Sequence, residues 1–189
     1  IPAWKSNIPM QDSDAVKRYR AAGAIVYGKT NVPLKLVEWQ SFNEIYGTTS
    51  NPWDQTRTPG GSSGGAAAAI ACGMSALEVG SDIGSSIRNP AHYCGIFGLK
   101  PTWNAVSMQG HLPPGWHGDI DIGVGGPLAR TAGDLTLAFD TLVGPSRFER
   151  SQYAPGLPAD NRTRLSEFRV ALMLGDDVSP VDTEYLDAL

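Results

Sequence analysis

Two short turns rich in serine and glycine carry the side chains of this chain that are best suited to chemistry. The first is Gly60-Gly-Ser-Ser-Gly-Gly65, and the second is Ser81-Asp-Ile-Gly-Ser-Ser-Ile-Arg88. A serine hydroxyl becomes an effective nucleophile when a neighbouring base takes its proton. A glycine-rich turn before a helix leaves backbone N–H groups free to bind a negatively charged oxygen. These two turns are therefore the candidate functional residues.

The sequence around these turns argues against a flexible linker. The stretch from Pro59 to Gly118 contains only four charged side chains, which are Glu78, Asp82, Arg88 and Lys100. So few charges predict that the stretch lies mostly inside a larger body. Polar groups packed densely in such surroundings must hydrogen-bond to one another.

A second interpretation of the first turn makes Ser63 the nucleophile. Gly61–Gly65 fits the pattern G-x-S-x-G, the strand-to-helix nucleophile elbow of α/β-hydrolase esterases. That elbow requires a strand before it, and Thr56–Pro59 is a poor strand. It also requires an Asp and a His downstream, and His92, His111 and His117 do not fall where that fold places its base. We keep this interpretation as an alternative.

A metal site is a weaker interpretation of a later segment. His111, His117, Asp119 and Asp121 lie close together in the sequence, but only His117 and Asp121 have the spacing that places two ligands on one helix face, and the segment around them is rich in Gly and Pro. We therefore expect a loop there and no metal.

Helices and strands alternate along the chain, which predicts an α/β fold with a central sheet. Ser13 or Asp14 should begin the first helix and Gly23 should end it, and Thr131 should begin a later helix in an imperfect capping box with Asp134. Further helices are predicted over Ala66–Cys72 and from about Ser179–Asp182 onward. Strands are predicted at Ala24–Tyr27, Leu77–Val79, Ile96–Leu99 and Arg169–Leu174.

Composition excludes several classes of function. The chain has 189 residues, of which 41% are hydrophobic and 18% are charged, so it should fold around a core. Its formal net charge is −4, and no run of Lys or Arg suggests nucleic acid or an anionic membrane. No stretch approaches the roughly 20 apolar residues of a membrane helix. Cys72 and Cys94 are expected to be buried, reduced thiols.

Three segments, in order, resemble the amidase signature sequence. They are Pro59-Gly-Gly-Ser-Ser-Gly-Gly-Ala66, Val79-Gly-Ser-Asp-Ile-Gly-Ser-Ser-Ile-Arg-Asn-Pro90 and Cys94-Gly-Ile-Phe-Gly-Leu-Lys-Pro-Thr102. Flanking matches at Ala22–Pro33 and Gly126–Thr131 extend the resemblance over roughly residues 14–144, around a signature core at about 59–102. The resemblance implies an α/β fold with a mixed central sheet flanked by helices on both faces. It also implies hydrolysis of a carboxylic amide to an acid and ammonia or an amine.

The same resemblance assigns roles to individual residues of a Ser–cis-Ser–Lys triad. It makes Ser86 the nucleophile and Ser62, 86 − 62 = 24 residues earlier, the bridging serine with a cis peptide. Most members of the family have glycine where this chain has Ser85. The remaining assignments are backbone N–H donors of an oxyanion hole at Ile83, Gly84, Ser85 and Ser86, and supporting side chains at Ser63, Asp82 and Arg88.

The third member of the triad, a neutral lysine, has no match in this chain. The resemblance places it some tens of residues before the first serine turn, and Lys5, Lys29, Lys35 and Lys100 do not fit that position. We therefore expect residues 1–189 to be a fragment of a single amidase domain that lacks the lysine and the C-terminal part. We also expect this fragment to be inactive on its own.

Two other interpretations within the family stay open. The chain could be an inactive amidase-like module used for binding or assembly, or part of the amidotransferase subunit that acts on charged tRNA. Gly110–Gly118 resembles a loop at the substrate entrance of stand-alone bacterial amidases, which favours that branch. We expect a small-molecule amide as substrate, with no cofactor, nucleic acid or membrane. A homodimer of the full-length protein and a cytoplasmic location are working hypotheses.

Overall fold

Three antiparallel strands at the centre of the chain position both serine turns. In the computed structural model, which describes residues 4, 6–112, 114, 120–146 and 160–188, the chain divides into two units, Ile1–Pro155 and Gly156–Leu189. Our assignment of residues 1–189 to one domain stays a prediction. In the first unit the helices are α1 (Asp14–Ala21), α2 (Gly64–Ala71), α3 (Arg88–Cys94) and α4 (Ala132–Leu142), with a 3₁₀ turn at Leu34–Leu36. The strands are β1 (Phe42–Asn43), β2 (Gly47–Thr48), β3 (Leu77–Asp82), β4 (Phe97–Gly98) and β5 (Val124–Ala129).

The second unit contains a 3₁₀ turn at Leu165–Glu167 and the helix α5 (Thr183–Ala188). This helix begins close to the predicted start.

The sheet of the first unit has the strand order β3-β5-β4. Both of its strand pairs are antiparallel, and β3 aligns Leu77 with Ala129 and Asp82 with Val124. β1 and β2 form a separate antiparallel pair. Because β3 ends at Asp82, the second serine turn leaves the sheet at the end of its longest ladder.

Helices cover both faces of this sheet, as predicted. Leu128 of β5 belongs to a buried cluster with Ile70 of α2 and Cys94 of α3. Leu77 and Val79 of β3 pack instead against a second cluster, which contains Tyr19 of α1, Val106, and Ala138 and Leu142 of α4. Side chains directly across an antiparallel pair share a face, and successive residues alternate. Leu128 lies across from Glu78, so the two clusters are on opposite faces.

The predicted helix starts are confirmed by their capping bonds. The Val16 N–H donates to Ser13 Oγ at 3.3 Å, and Gly23 follows α1 in a left-handed conformation with φ of 90°. At α4 the Asp134 N–H donates to Thr131 Oγ1 at 3.0 Å. The Ala-rich helix is also present, and all its residues from Gly64 to Ile70 are buried.

Two predicted strands are wrong. Ala24–Tyr27 and Arg169–Leu174 are exposed and form no strand. Hydrophobic runs become strands only when another strand accepts their backbone hydrogen bonds, and the described residues offer these segments none. Ile96–Leu99 is a strand only over Phe97–Gly98.

The cysteine prediction is half correct. Both thiols are free and Cys94 is buried, but Cys72 is exposed, because it lies at the C-cap of α2, past the buried part of that helix. The predicted loop at 110–118 falls largely outside the described residues.

Gly65, in the first turn of α2, provides a test of this packing. A Cβ at this position would lie 2.5 Å from the backbone N of Asn31 and would also overlap its carbonyl. We expect Gly65→Ala to lower the free energy of unfolding by about 1–3 kcal/mol, because backbone atoms must move to admit the methyl group. Urea unfolding of the whole protein measures this loss. The matched control is Gly28→Ala, where nothing lies within 4 Å of the added Cβ, and equal effects of the two changes would contradict the packing described here.

Candidate active site

Asp82 organises the second serine turn. Its side chain is fully buried at the end of β3. One carboxylate oxygen accepts the Ser85 N–H at 2.9 Å, and the other accepts the N–H groups of Ile87 at 3.0 Å and Arg88 at 3.2 Å. The Arg88 guanidinium adds two hydrogen bonds, from Nε at 3.1 Å and from Nη2 at 2.9 Å. Five donors on one carboxylate fix the backbone on either side of Ser86.

The charge of Asp82 is stabilised by these bonds. Burial by itself would raise the pKa of this carboxyl, but the hydrogen bonds from Arg88 and from the three backbone N–H groups outweigh burial and lower the pKa below its usual value. Asp82 is therefore ionised when the chain is folded at neutral pH.

This lowered pKa predicts how stability depends on pH. A carboxyl with a depressed pKa in the folded state stabilises the fold above its unfolded pKa of roughly 3.9, and the stabilisation is lost as the pH falls through the folded pKa. We expect the free energy of unfolding to decline below about pH 4, with a smaller decline in Asp82→Asn. Urea unfolding of both proteins across this pH range measures the two slopes. If the free energy of unfolding depends on pH identically in the wild type and in Asp82→Asn, Asp82 is not the titrating group.

The first serine turn contains the predicted cis peptide bond, between Gly61 and Ser62. Ser62 and Ser63 are both buried. The Ser41 hydroxyl, also buried, lies 3.2 Å from the carbonyl oxygen of Gly60 and 3.4 Å from that of Ser62, and donates between them. Ser41 also packs against the start of α2, since an added Cβ at Gly64 would lie 3.0 Å from Ser41 Cβ.

Two hydrogen bonds join the first turn to the second turn and to the first residues of α3. The Ser63 N–H donates to the Ser86 carbonyl at 3.1 Å, and the Gly61 N–H donates to Asn89 Oδ1 at 3.2 Å. Ser62 and Ser86 therefore lie on adjoining turns. No hydrogen bond between their hydroxyls occurs in the described part of the chain, so the bridging role of Ser62 stays a prediction.

The backbone N–H groups predicted for an oxyanion hole divide into two kinds. Those of Ile83, Gly84 and Ser86 donate to no other group among the described residues, and Ile83 and Gly84 are exposed. The Ser85 N–H is already engaged with Asp82. The structure therefore does not present Ser85 as an oxyanion donor, because the carboxylate that shapes the turn uses its N–H.

Sequence reasoning missed the segment that lies against both turns. The indole Nε1 of Trp39 donates to the Gly84 carbonyl at 2.9 Å, and a Cβ at Gly61 would lie 2.6 Å from the Glu38 carbonyl oxygen. Ser41 belongs to the same segment. The paired glycines at 60 and 61 signal that some backbone approaches closely, but they do not say which one.

The described lysines do not complete a triad with these serines. No hydrogen bond connects Lys17, Lys29, Lys35 or Lys100 with Ser62 or Ser86 in the residues that the structure describes, and Lys5 is not among those residues. Within the described ranges, no group of three or more His, Cys, Asp or Glu side chains is arranged to hold a metal ion. In the same residues, no helix combines the length and the apolar composition needed to cross a membrane.

The nucleophile-elbow interpretation does not fit the geometry. Residues 51–61 form no strand before Ser63. The Ser63 side chain is buried and packs on Gly80, where an added Cβ would lie 2.5 Å from Ser63 Oγ. Ser86 is only partly buried, so the structure favours it as the accessible hydroxyl.

The fold and the paired serine turns are those of an amidase-signature protein. The amidase family model matches residues 1–189, and the chain belongs to this family.

Two curated relatives show how the resemblance is distributed. The chain is 46% identical over 137 residues to the Mycobacterium tuberculosis protein named "Putative amidase AmiB2", covering 71% of this chain and 29% of that protein. It is 38% identical over 185 residues to a glutamyl-tRNA(Gln) amidotransferase subunit of Chromohalobacter salexigens, covering 94% of this chain and 37% of the relative. The chain thus spans about a third of the length of these relatives.

Among solved structures, the chain resembles the peptide amidase PAM in complex with the inhibitor chymostatin. The TM-score is 0.69 and the sequence identity is 30%, over 80% of this chain and 32% of that one. The likeness supports the α/β fold predicted from the sequence.

Proposed function

We propose that the whole protein hydrolyses carboxylic amides of small molecules through an acyl-enzyme on Ser86. The observation that carries this proposal is the junction of the two serine turns by the hydrogen bond from the Ser63 N–H to the Ser86 carbonyl. Because of this bond, the turn that carries the partly buried Ser86 lies next to the turn that carries Ser62. Family membership supports the same reaction.

In this proposal the Ser86 hydroxyl attacks the amide carbonyl while its proton passes to Ser62. Ser62 in turn passes a proton to a neutral lysine, for which residues 1–189 offer no match to the family pattern. A tetrahedral intermediate forms and collapses, the C–N bond breaks, and the departing nitrogen takes a proton back through Ser62. Water then attacks the ester on Ser86 and gives its proton through Ser62 to the lysine. The second tetrahedral intermediate collapses, the ester C–O bond breaks, and Ser86 takes the proton back through Ser62, which releases the acid and restores the serine.

The negative oxygen of the tetrahedral intermediate requires donors that are already in place. The N–H groups of Ile83, Gly84 and Ser86 suit this role because they are not used within the described structure. One such donor is typically worth about 2.7–4 kcal/mol in the transition state. Asp82 and Arg88 touch no substrate in this scheme, and hold the turn that presents these donors.

The test is an assay of the whole protein against aliphatic, aryl, peptide and fatty amides, with ammonia or amine release as the readout. Hydrolysis of one of these classes, lost in Ser86→Ala, supports the proposal. Amide hydrolysis that persists in Ser86→Ala would contradict it. Binding of amides without turnover by an intact protein would support the inactive module instead, and turnover that depends on charged tRNA and further protein chains would support the amidotransferase branch.

A further inference from the structure

The peptide unit between Gly84 and Ser85 is held from two sides. Its carbonyl oxygen accepts the indole N–H of Trp39 at 2.9 Å. Its N–H donates to Asp82 Oδ1 at 2.9 Å. In a trans peptide the C=O and N–H point in opposite directions, so Trp39 and Asp82 bind this unit from opposite sides. We call these two hydrogen bonds the clamp.

The conformation of Ser85 shows why a clamp is needed. Its φ is 80°, in the left-handed region that glycine adopts easily and other residues avoid. Rotating the peptide unit by half a turn would return Ser85 to negative φ and relieve this cost. The same rotation would break both hydrogen bonds and turn the Gly84 carbonyl towards the Asp82 carboxylate. Glycine would adopt this φ without cost, whereas this chain has serine at the position and so depends more heavily on the clamp.

The orientation of this peptide unit matters because the candidate oxyanion donors lie on either side of it. The Gly84 N–H belongs to the preceding peptide unit and the Ser86 N–H to the following one. A reversal in the middle of the turn would displace both donors without removing either.

We propose that Trp39 is a positioning residue for residues 83–86, the loop that carries the candidate oxyanion donors. It acts through the hydrogen bond from its indole to the Gly84 carbonyl. This inference rests on the proposed function of Ser86. Trp39 lies 45 residues before Gly84 in the sequence, and it is 60% exposed beside the turn. It acts on the reaction through the backbone of residues 84–86.

The experiment combines Trp39→Phe with Ser85→Gly in the whole protein. Trp39→Phe keeps an aromatic ring and removes the donor, and we expect kcat to fall about tenfold, or about 1.4 kcal/mol in the barrier, with KM changed less than about twofold. In the Ser85→Gly background the same change should lower kcat less than about threefold, because glycine accepts the left-handed φ without the clamp. The matched control is Trp53→Phe, which removes an indole hydrogen bond of 2.8 Å to the Cys94 carbonyl. This control should leave kcat within about twofold.

A second readout does not depend on turnover. Amide hydrogen exchange across residues 83–88 should become faster in Trp39→Phe and stay unchanged in Trp53→Phe, because the Ser85 N–H loses its fixed direction. Equal losses of kcat in the Ser85 and Ser85→Gly backgrounds, or unchanged exchange in Trp39→Phe, would overturn the inference. If Trp39→Phe speeds exchange as expected but no amide is hydrolysed by the wild-type protein, the proposed function fails and the clamp stands as a feature of the loop alone.

Discussion

Replacing Ser86 by alanine should lower amide hydrolysis by the whole protein about 10⁴-fold or more, because the proposed acyl-enzyme forms on the Ser86 hydroxyl. Ser86 is a partly buried serine of the second turn, and the same turn leaves the N–H groups of Ile83 and Gly84 without an acceptor among the described residues. Steady-state kinetics on the best amide substrate measure the loss. The folded state of the variant is checked by its urea unfolding curve, which should match that of the wild type.

The neighbouring serines give graded controls for this result. Ser62→Ala should lower kcat by about 10²- to 10⁴-fold, which is the usual value of positioned proton transfer. Ser63→Ala should cost much less, because only the backbone N–H of Ser63 joins the two turns and alanine retains it. A folded Ser63→Ala variant that is as inactive as Ser86→Ala would support the nucleophile-elbow interpretation, in which Ser63 is the nucleophile.

The second large effect is on stability. Asp82→Ala should lower the free energy of unfolding by about 3–5 kcal/mol, because the change leaves the Arg88 guanidinium and three backbone N–H groups without their acceptor. The same variant should lose activity, since the carboxylate fixes the turn that presents Ser86. Urea unfolding and steady-state kinetics on the same preparation test both parts.

Asp54 is the matched control for this change. Its carboxylate also accepts a backbone N–H, from Thr56 at 2.9 Å, and pairs with Arg57 at 3.1 Å. Its side chain is 44% exposed, whereas that of Asp82 is fully buried. Exposed ion pairs contribute little to stability, so Asp54→Ala should have little effect on the free energy of unfolding. Similar losses of unfolding free energy in Asp82→Ala and Asp54→Ala would mean that burial does not determine how much the hydrogen bonds of Asp82 stabilise the fold.

Local sequence signals predicted the helices of this fold well. Ser13 and Thr131 are good N-caps, and both cap helices through the expected side-chain bonds. The buried helix α2 also follows from its composition, because alanines after a glycine-rich turn form a helix and can pack closely. Capping and composition depend on neighbours in the sequence, which makes them readable without a structure.

The errors concern contacts between distant parts of the chain. Ala24–Tyr27 has the hydrophobic residues of a strand, but whether it becomes one depends on a partner that its own residues do not specify. The same holds at the site. The serine turns and their candidate roles could be predicted, whereas the Trp39 bond to Gly84, across 45 residues, and the use of the Ser85 N–H by Asp82 could not. The first depends on which distant segment packs against the turn, and the second depends on how the turn folds back onto its own carboxylate.

The most direct test of the account is the location of a covalent adduct in the whole protein. A fluorophosphonate, which reacts with activated serines and mimics the tetrahedral intermediate, is incubated with the wild-type protein, and the labelled peptide is identified by mass spectrometry. We expect a single adduct on Ser86, formed more slowly in Ser62→Ala. Two results would contradict the assignment of Ser86 as the nucleophile. One is an adduct on Ser63 with Ser86 unmodified. The other is complete inhibition of amide hydrolysis by the fluorophosphonate while Ser86 stays unlabelled.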